Sequence, residues 1–236
     1  MLGIDNLNDY YDVALKEARL RDLTETAPGF AFRKAEIADR DSLRAALDDH
    51  TFDIVVHLAA QAGVRASITN PHIYAESNLA GHLNMLEHFR HRDPLVHFIY
   101  ASSSSVYGAN HKLPFSESDR VDDPVSLYAA TKRADELMSE VYHRLYGMPL
   151  TGLRFFTVYG PWGRPDMAMW LFTEAILNGR PLTLNNHGRM RRDFTFVDDA
   201  VRAVAAIASG PPANPSRTPH VYNVGNNRSE NLRDLL

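Results

Sequence analysis

Tyr128-Ala129-Ala130-Thr131-Lys132 sets a phenol and an ammonium four residues apart. On a helix that spacing stacks them on one face, one turn from each other. A cation held beside a phenol favours the phenolate, and a phenolate is a base for a hydroxyl proton. The same spacing also occurs wherever a surface lysine follows a half-buried tyrosine. The chain has 10 Tyr and only four Lys (Lys16, Lys34, Lys112 and Lys132). About 0.2 such spacings would then arise by chance, so context has to decide. It lies upstream, where Ala101-Ser102-Ser103-Ser104-Ser105-Val106-Tyr107-Gly108 follows an apolar run. These serines form either a plain Ser-rich turn or a set of hydroxyls at a strand's carboxyl end, the edge where open parallel sheets bind ligands.

Positioning those groups falls to three short runs that are apolar on both faces, residues 53–58, 95–100 and 150–156. Such runs predict parallel strands joined by helical crossovers. Helical periods fill the gaps at 13–24, 41–48, 71–90 and 127–146. Asn70 before Pro71 reads as an N-cap with proline at the first helical position, and Gly147 with Pro149 stops the fourth helix. The fold class is therefore α/β. After Gly160 the elements shorten, which predicts a small mixed lobe, and Gly210-Pro211-Pro212-Ala213-Asn214-Pro215-Ser216 reads as an exposed loop.

Composition narrows the partners. The 236 residues are 44% hydrophobic and 23% charged, enough to bury a full core and too apolar for a disordered chain. A net charge of -4 gives no basic field to hold nucleic acid or an anionic membrane, and no apolar run approaches a bilayer span. With no cysteine, disulfides, thiolate metal sites and cysteine nucleophiles are excluded, which fits a cytoplasmic setting. His57, His72 and His88 lack metal-ligand spacing, so no metal is expected. Both ends look cut. Met1-Leu2-Gly3-Ile4-Asp5 reads as the tail of a strand that wants an upstream neighbour, and Asn231-Leu232-Arg233-Asp234-Leu235-Leu236 as a helix stopped after one turn.

Six segments, in order and over nearly the whole length, make the sequence similar to the extended short-chain dehydrogenase/reductase family of nucleotide-sugar epimerases. They are Gly3-Ile4-Asp5-Asn6-Leu7, His57-Leu58-Ala59-Ala60, the Ser102–Gly108 cluster above, Tyr128-Ala129-Ala130-Thr131-Lys132, Arg154-Phe155-Phe156-Thr157-Val158-Tyr159-Gly160-Pro161, and Arg192-Asp193-Phe194-Thr195-Phe196-Val197-Asp198-Asp199. The run from Phe156 to Ala168 resembles the UDP-glucuronate 4-epimerase subgroup. The resemblance implies a Rossmann-like doubly wound parallel sheet, with residues 1–160 as the NAD-binding domain and 161–236 as a substrate-binding lobe returning segments to the main sheet. It implies Ser103, Tyr128 and Lys132 as the catalytic set and NAD as cofactor. The cofactor wall would be Asp5, Asn6, Glu36, Ile37, Leu58, Ala59, Ala60, Asn78 and Phe155, together with Tyr128 and Lys132. Asp5 would accept hydrogen bonds from the adenosine ribose and repel a 2′-phosphate, favouring NAD over NADP. Glu36 stands where the family more often has Asp.

The implied substrate is a UDP-sugar, epimerised at C4 through a 4-keto intermediate, most closely UDP-glucuronate to UDP-galacturonate. Arg192 matches the position that pairs with the diphosphate. Ser104, Ser105, Thr157 and Arg164 are the candidates to hold the uronate carboxylate; Arg164 equally reads as a solvated loop charge. Dehydratases and decarboxylases of this superfamily carry acidic groups where this chain has Ser104-Ser105. The family's first strand and glycine-rich turn would precede Gly3, and their absence from the chain predicts weak NAD binding and little turnover. The alternatives are a UDP-glucose 4-epimerase and a non-catalytic truncated nucleotide-sugar-binding protein. Helices 71–90 and 127–146 match those through which the family dimerises, so a homodimer is the family-level expectation.

Overall fold

Strand and helix alternate from the start because short polar caps separate apolar runs. The computed structural model describes residues 1–90, 95–182, 184–210 and 220–235. β1 (Leu2–Asp5) and β2 (Ala31–Lys34) pair in parallel as a two-stranded sheet, linked by α1 (Val13–Thr26), whose N-terminus is capped by the Asp12 carboxylate on Ala14 N–H. α2 (Arg40–Leu47) begins where Asp39 accepts from Asp41 and Ser42 N–H, and it buries Leu43, Ala46 and Leu47. β3 (Ile54–His57) follows.

Residues 71–90, expected as one helix, are helical but not uniformly α. After α3 (Ala66–Thr69), α4 (Pro71–Tyr74) runs into a π-helical stretch, Ala75–Ala80, before α5 (Gly81–Phe89). Pro71 takes the first helical position, yet Asn70 makes no side-chain cap. The π stretch carries Asn78, which is buried and bonded on both amide ends, and such wide turns commonly mark functional regions.

β4 (His97–Ser103) extends beyond its apolar run into the serines. α6 (Leu127–Tyr146) spans the expected residues: Ser126 caps its start, and Gly147 ends it in the left-handed conformation at φ 66°. β5 (Leu150–Phe155) comes next, then β6 (Thr157–Tyr159), α7 (Ala168–Leu177), β7 (Arg191–Phe196), α8 (Val197–Ser209), β8 (His220–Val224) and β9 (Ser229–Asn231). The main sheet is parallel in the order β3-β4-β5-β8, and a smaller mixed sheet has the order β6-β7-β9. From Pro211 onward the expected exposed loop lies outside the described residues.

Period-two alternation along β4 shows why helices cover both faces of the main sheet. Phe98 and Tyr100 pack with Leu43, Leu47, Met85, Leu86 and Phe89 from α2 and α5, while Ile99 faces the other way, with Leu153, Val224 and Ala200 of α8. This is the doubly wound arrangement. Among the described residues no helix is long and apolar enough to cross a membrane.

Candidate active site

Two local devices bring the sequence-predicted catalytic groups to the carboxyl end of β4. Ser103 is the last residue of that strand, and its Oγ accepts from Ser105 N–H at 3.2 Å, starting the 3-10 turn Ser104–Tyr107. Gly108 closes the turn at φ 53°, where an added Cβ would stand 1.9 Å from the Asp123 carbonyl oxygen; a side chain there is excluded by sterics as well as by conformation. On the facing helix, Ser126 Oγ accepts from Ala129 N–H at 3.1 Å, which places Tyr128 in the first turn of α6 and Lys132 one turn on.

Lys132 is 4% exposed and donates from Nζ to Ala101 O at 3.0 Å and to Asp135 Oδ2 at 3.1 Å. Its ammonium therefore rests on the β4 backbone two residues before Ser103. Tyr128 is half-buried, and its ring meets Tyr74 edge-on at 6.3 Å between centroids. Tyr74 is buried and donates its hydroxyl to the Ala62 and Gly63 carbonyls.

Beneath these groups lies a buried polar layer that sequence reading did not find. Glu136 accepts from Ser102 Oγ at 2.7 Å and takes two bonds from Arg154 of β5, at 2.8 and 2.9 Å. Burial pushes the Glu136 carboxyl up, but the Arg154 guanidinium outweighs it and holds the group below its ordinary value. Arg154 also donates to the Tyr107 hydroxyl, which donates in turn to Asn223 Oδ1. Asp135 is pushed up to about 6 by burial, against the pull of Lys132. His57 and His82 stack in the same layer. Burial holds His57 down at about 3 and His82 well below its ordinary value.

A cleft opens beside this layer at the carboxyl ends of β1, β2 and β3. Asp5, Asn6, Glu36, Ile37, Leu58, Ala59 and Ala60, all expected to face a cofactor, line it. Asn6 Nδ2 donates to Glu36 Oε2 at 2.7 Å, joining the ends of β1 and β2, and the exposed Asp5 accepts from Leu7 N–H with one carboxylate oxygen. Carboxylate acceptors beside apolar Ile37 and Leu58, with two alanines leaving room, suit the hydroxyls and flat ring of a nucleoside. Lys16, Asn8, Tyr10 and Tyr11 line the same cleft and were not anticipated. Lys16 Nζ donates to Asn8 Oδ1 at 2.7 Å, and desolvation lowers its pKa. One of only four lysines, placed just after a strand-end loop, was the available signal.

Other expected residues fall elsewhere. Asn78 is buried, where its Oδ1 accepts from Gln61 N–H and its Nδ2 donates to Gln61 O and Thr131 Oγ1, so the amide ties the β3 loop to α6. Phe155 ends β5, half-buried with its ring against the core side packed by α8. Ser104, Ser105 and Thr157 are half-buried. Arg164 is close enough to act on Tyr74, whose ring meets Tyr128. It lines the cleft near Asp5, its Nε 3.3 Å from Asp166 Oδ1. Asp166 also accepts from the Tyr10 hydroxyl, which burial and that carboxylate push up to about 12. With Arg19 donating to Trp162 O, the loop after Gly160 is thereby clamped to the β1–α1 segment. Arg192 is exposed on β7 and makes no ion pair among the described residues; the neighbouring Asp193 is taken by Thr195 Oγ1 and by the Asn226 and Arg228 amides.

Residues 2–225 match the NAD dependent epimerase/dehydratase family. The chain is 48% identical over 217 residues to a probable UDP-glucuronate 4-epimerase of Rhizobium meliloti, covering 92% of this chain and 63% of that protein. It is 46% identical over 248 residues to UDP-glucuronate 4-epimerase 4 of Arabidopsis thaliana, covering all of this chain and 56% of that one. The crystal structure of UDP-glucuronic acid 4-epimerase from Bacillus cereus, in complex with UDP-glucuronic acid and NAD, superposes with a TM-score of 0.88 at 34% identity, over 99% of this chain and 72% of that one.

Proposed function

The chain belongs to the NAD dependent epimerase/dehydratase family, and from that premise we propose that it serves the 4-epimerisation of UDP-glucuronate to UDP-galacturonate. The observation that carries the reading is the grip of Lys132 on the β4 backbone, with Tyr128 one turn before it on α6 and Ser103 two residues further along the strand. A cofactor fits beside it, since the cleft offers Asp5, Asn6 and Glu36 for ribose hydroxyls and Ile37 with Leu58 for a flat ring. Bound NAD would supply the hydride sink and source that lets C4 of the sugar lose and regain its hydrogen.

In this reading Tyr128 takes the proton of the 4-hydroxyl and returns it after the sugar has presented its other face. Ser103 hydrogen-bonds the reacting oxygen throughout, and Lys132 holds the cofactor's ribose while its charge supports Tyr128 in accepting the proton. A 4-keto sugar with a C6 carboxylate is a β-keto acid, which loses carbon dioxide once the breaking bond aligns with the carbonyl π system. Retention therefore requires donors that hold the carboxylate out of that alignment. Ser104, Ser105 and Thr157 are assigned this role, with Arg164 joining them by exchanging Asp166 for the substrate's carboxylate. Arg192, exposed and without an ion pair among the described residues, is assigned the diphosphate. Ser104 and Ser105 follow Ser103 where an acid would be needed to expel a hydroxyl, which favours epimerisation over dehydration. The apolar stripe Leu137, Val141 and Leu145 is exposed on α6 at helical i, i+4, i+8 spacing, and we assign it to a second copy of the chain.

The test is to incubate UDP-glucuronate and NAD with the protein and follow C4 configuration by NMR. The expected product is the galacturonate epimer, formed with retention of carbon dioxide and lost in Tyr128→Phe. Faster conversion of UDP-glucose than of UDP-glucuronate would refute the substrate assignment, and an undiminished Tyr128→Phe would refute the assigned base.

A further inference from the structure

One turn below the assigned site, α6 buries a charge that the chemistry above leaves unused. Asp135 is 1% exposed and gives Oδ2 to Lys132, while its Oδ1 has no hydrogen-bond partner among the described residues. A buried carboxylate with one oxygen unsatisfied is costly, and a neutral amide of the same shape would avoid the charge. The geometry around Lys132 gives that charge a use. An ammonium has three N–H donors. One goes to Ala101 O on β4 and one to Asp135 on the helix itself, so the flexible lysine is held from two sides with its third donor left for a ligand.

We propose that Asp135 is a positioning residue for Lys132, fixing the ammonium against the β4 backbone while ionised and loosening it when protonated. This rests on the assignment of Lys132 to the site proposed above and deepens it. The surroundings of Asp135 support the pairing. From α6 it faces Lys132 and Glu136; from α5, His82, whose ring lies by the Asp135 backbone and bonds the Ser139 hydroxyl; from β3, His57, stacked on His82; from β4, Tyr100; and Arg154 of β5 stands beyond Glu136. Both imidazoles are kept neutral by burial, Tyr100 is held in its phenol form, and Arg154 is bonded twice to Glu136. Lys132 is thus the cation that Asp135 meets directly.

Burial raises Asp135, and the nearby Glu136 adds to the rise against the pull of Lys132. The grip on Lys132 therefore weakens within the mildly acidic range, well above the pH at which an ordinary aspartate protonates.

Carbon-13 NMR of the whole chain, labelled at aspartate carboxyl and lysine ε carbons and assigned through bonds, reads the pairing without any cofactor. The Asp135 carboxyl should titrate near 6, where an ordinary aspartate titrates near 3.8, and the Lys132 ε carbon should inflect at the same pH. In Lys132→Met the Asp135 midpoint should rise further, by about one unit or more. In Asp135→Asn the lysine inflection should disappear, and the acid limb of the kcat/KM profile should flatten with it. An Asp135 carboxyl titrating near 4, or a Lys132 resonance that stays flat through the Asp135 transition, would overturn the proposal. Both are read on the unsubstituted chain, so they decide even if Asp135→Asn fails to fold. Failure of the epimerase reading shows separately, as undiminished turnover in Tyr128→Phe, and leaves these resonances where they are.

Discussion

His57 offers the most direct measure of how dry the layer under the site is. The ring ends β3, stacks on His82 with centroids 5.4 Å apart and meets Phe98 edge-on at 6.1 Å. Burial, with the nearby Lys132 charge adding to it, holds the ring down at about 3 from an ordinary 6.5. Between those two values the unfolded chain binds a proton that the folded chain refuses, so stability falls as pH drops below about 6.5 and goes on falling toward pH 3. At pH 5 the unfolded imidazole is about 97% protonated and the folded one scarcely at all, which makes the loss from pH 7 to pH 5 about 2 kcal/mol from this ring alone. That figure is insensitive to the folded value so long as it lies well below about 5. His82 acts with the same sign. Asp135 acts with the opposite sign, since its raised carboxyl protonates first in the folded state as pH falls from about 6 toward 4. His57→Gln isolates the one ring, because glutamine keeps a polar side chain and does not titrate. Urea unfolding followed by far-ultraviolet circular dichroism at about pH 7 and pH 5 should show the parent losing about 2 kcal/mol more than the variant between the two conditions. Equal losses in parent and variant would refute the argument, since an imidazole that protonates in place cannot be sealed from water.

Two further outcomes follow from the same geometry. Glu136→Gln should destabilise the fold by about 3 to 5 kcal/mol in urea, because it leaves the Arg154 guanidinium, 3% exposed, without its counter-charge; a cost under about 1 kcal/mol would mean that the layer is solvated. Asp5→Ser should raise the affinity for NADP relative to NAD by about tenfold in calorimetry, since serine keeps an oxygen for Leu7 N–H but removes the charge that repels a 2′-phosphate; an unchanged ratio would take Asp5 off the ribose.

β4 and β5 were legible because they are buried on both faces and so read as apolar runs; β3 reads as an apolar run although its residues alternate between exposed and buried, and β8, only partly buried, was not anticipated. β4 could be located from the run ending at Tyr100, but it continues through Ser102 and Ser103, whose small polar side chains carry no strand signal of their own. Their place in the ladder comes from β5, which pairs Ser102 with Arg154 and Ser103 with Phe155. α6 was legible to its last residue, since Gly147 with Pro149 behind it is a strong stop signal, while the Ser126 cap at its start went unread. The break within 71–90 was not: a π turn changes which backbone carbonyl accepts each bond, and hydrophobic spacing carries no mark of that. Asn78, the residue that could have signalled it, reads equally as a cofactor contact.

Charge was the least legible property, for a physical reason. In sequence, Lys132, Arg133, Asp135 and Glu136 look like the solvated face of a helix, where pairs three apart are worth little. Whether such a pair is exposed or buried depends on what lies against it. Here that is Ser102 and Arg154, remote in sequence and adjacent only because β4 and β5 pair in register. The surroundings of Arg164 were hidden for the same reason: a sequence can place a guanidinium on a loop, but its pairing with Asp166, which Tyr10 holds from the far end of the chain, shows only in the fold. The Tyr128–Lys132 spacing could be found because its geometry is local to one helix. The charges that tune it had to wait for the fold, and this is why the decisive measurement on this site is a titration of Asp135 and Lys132 together.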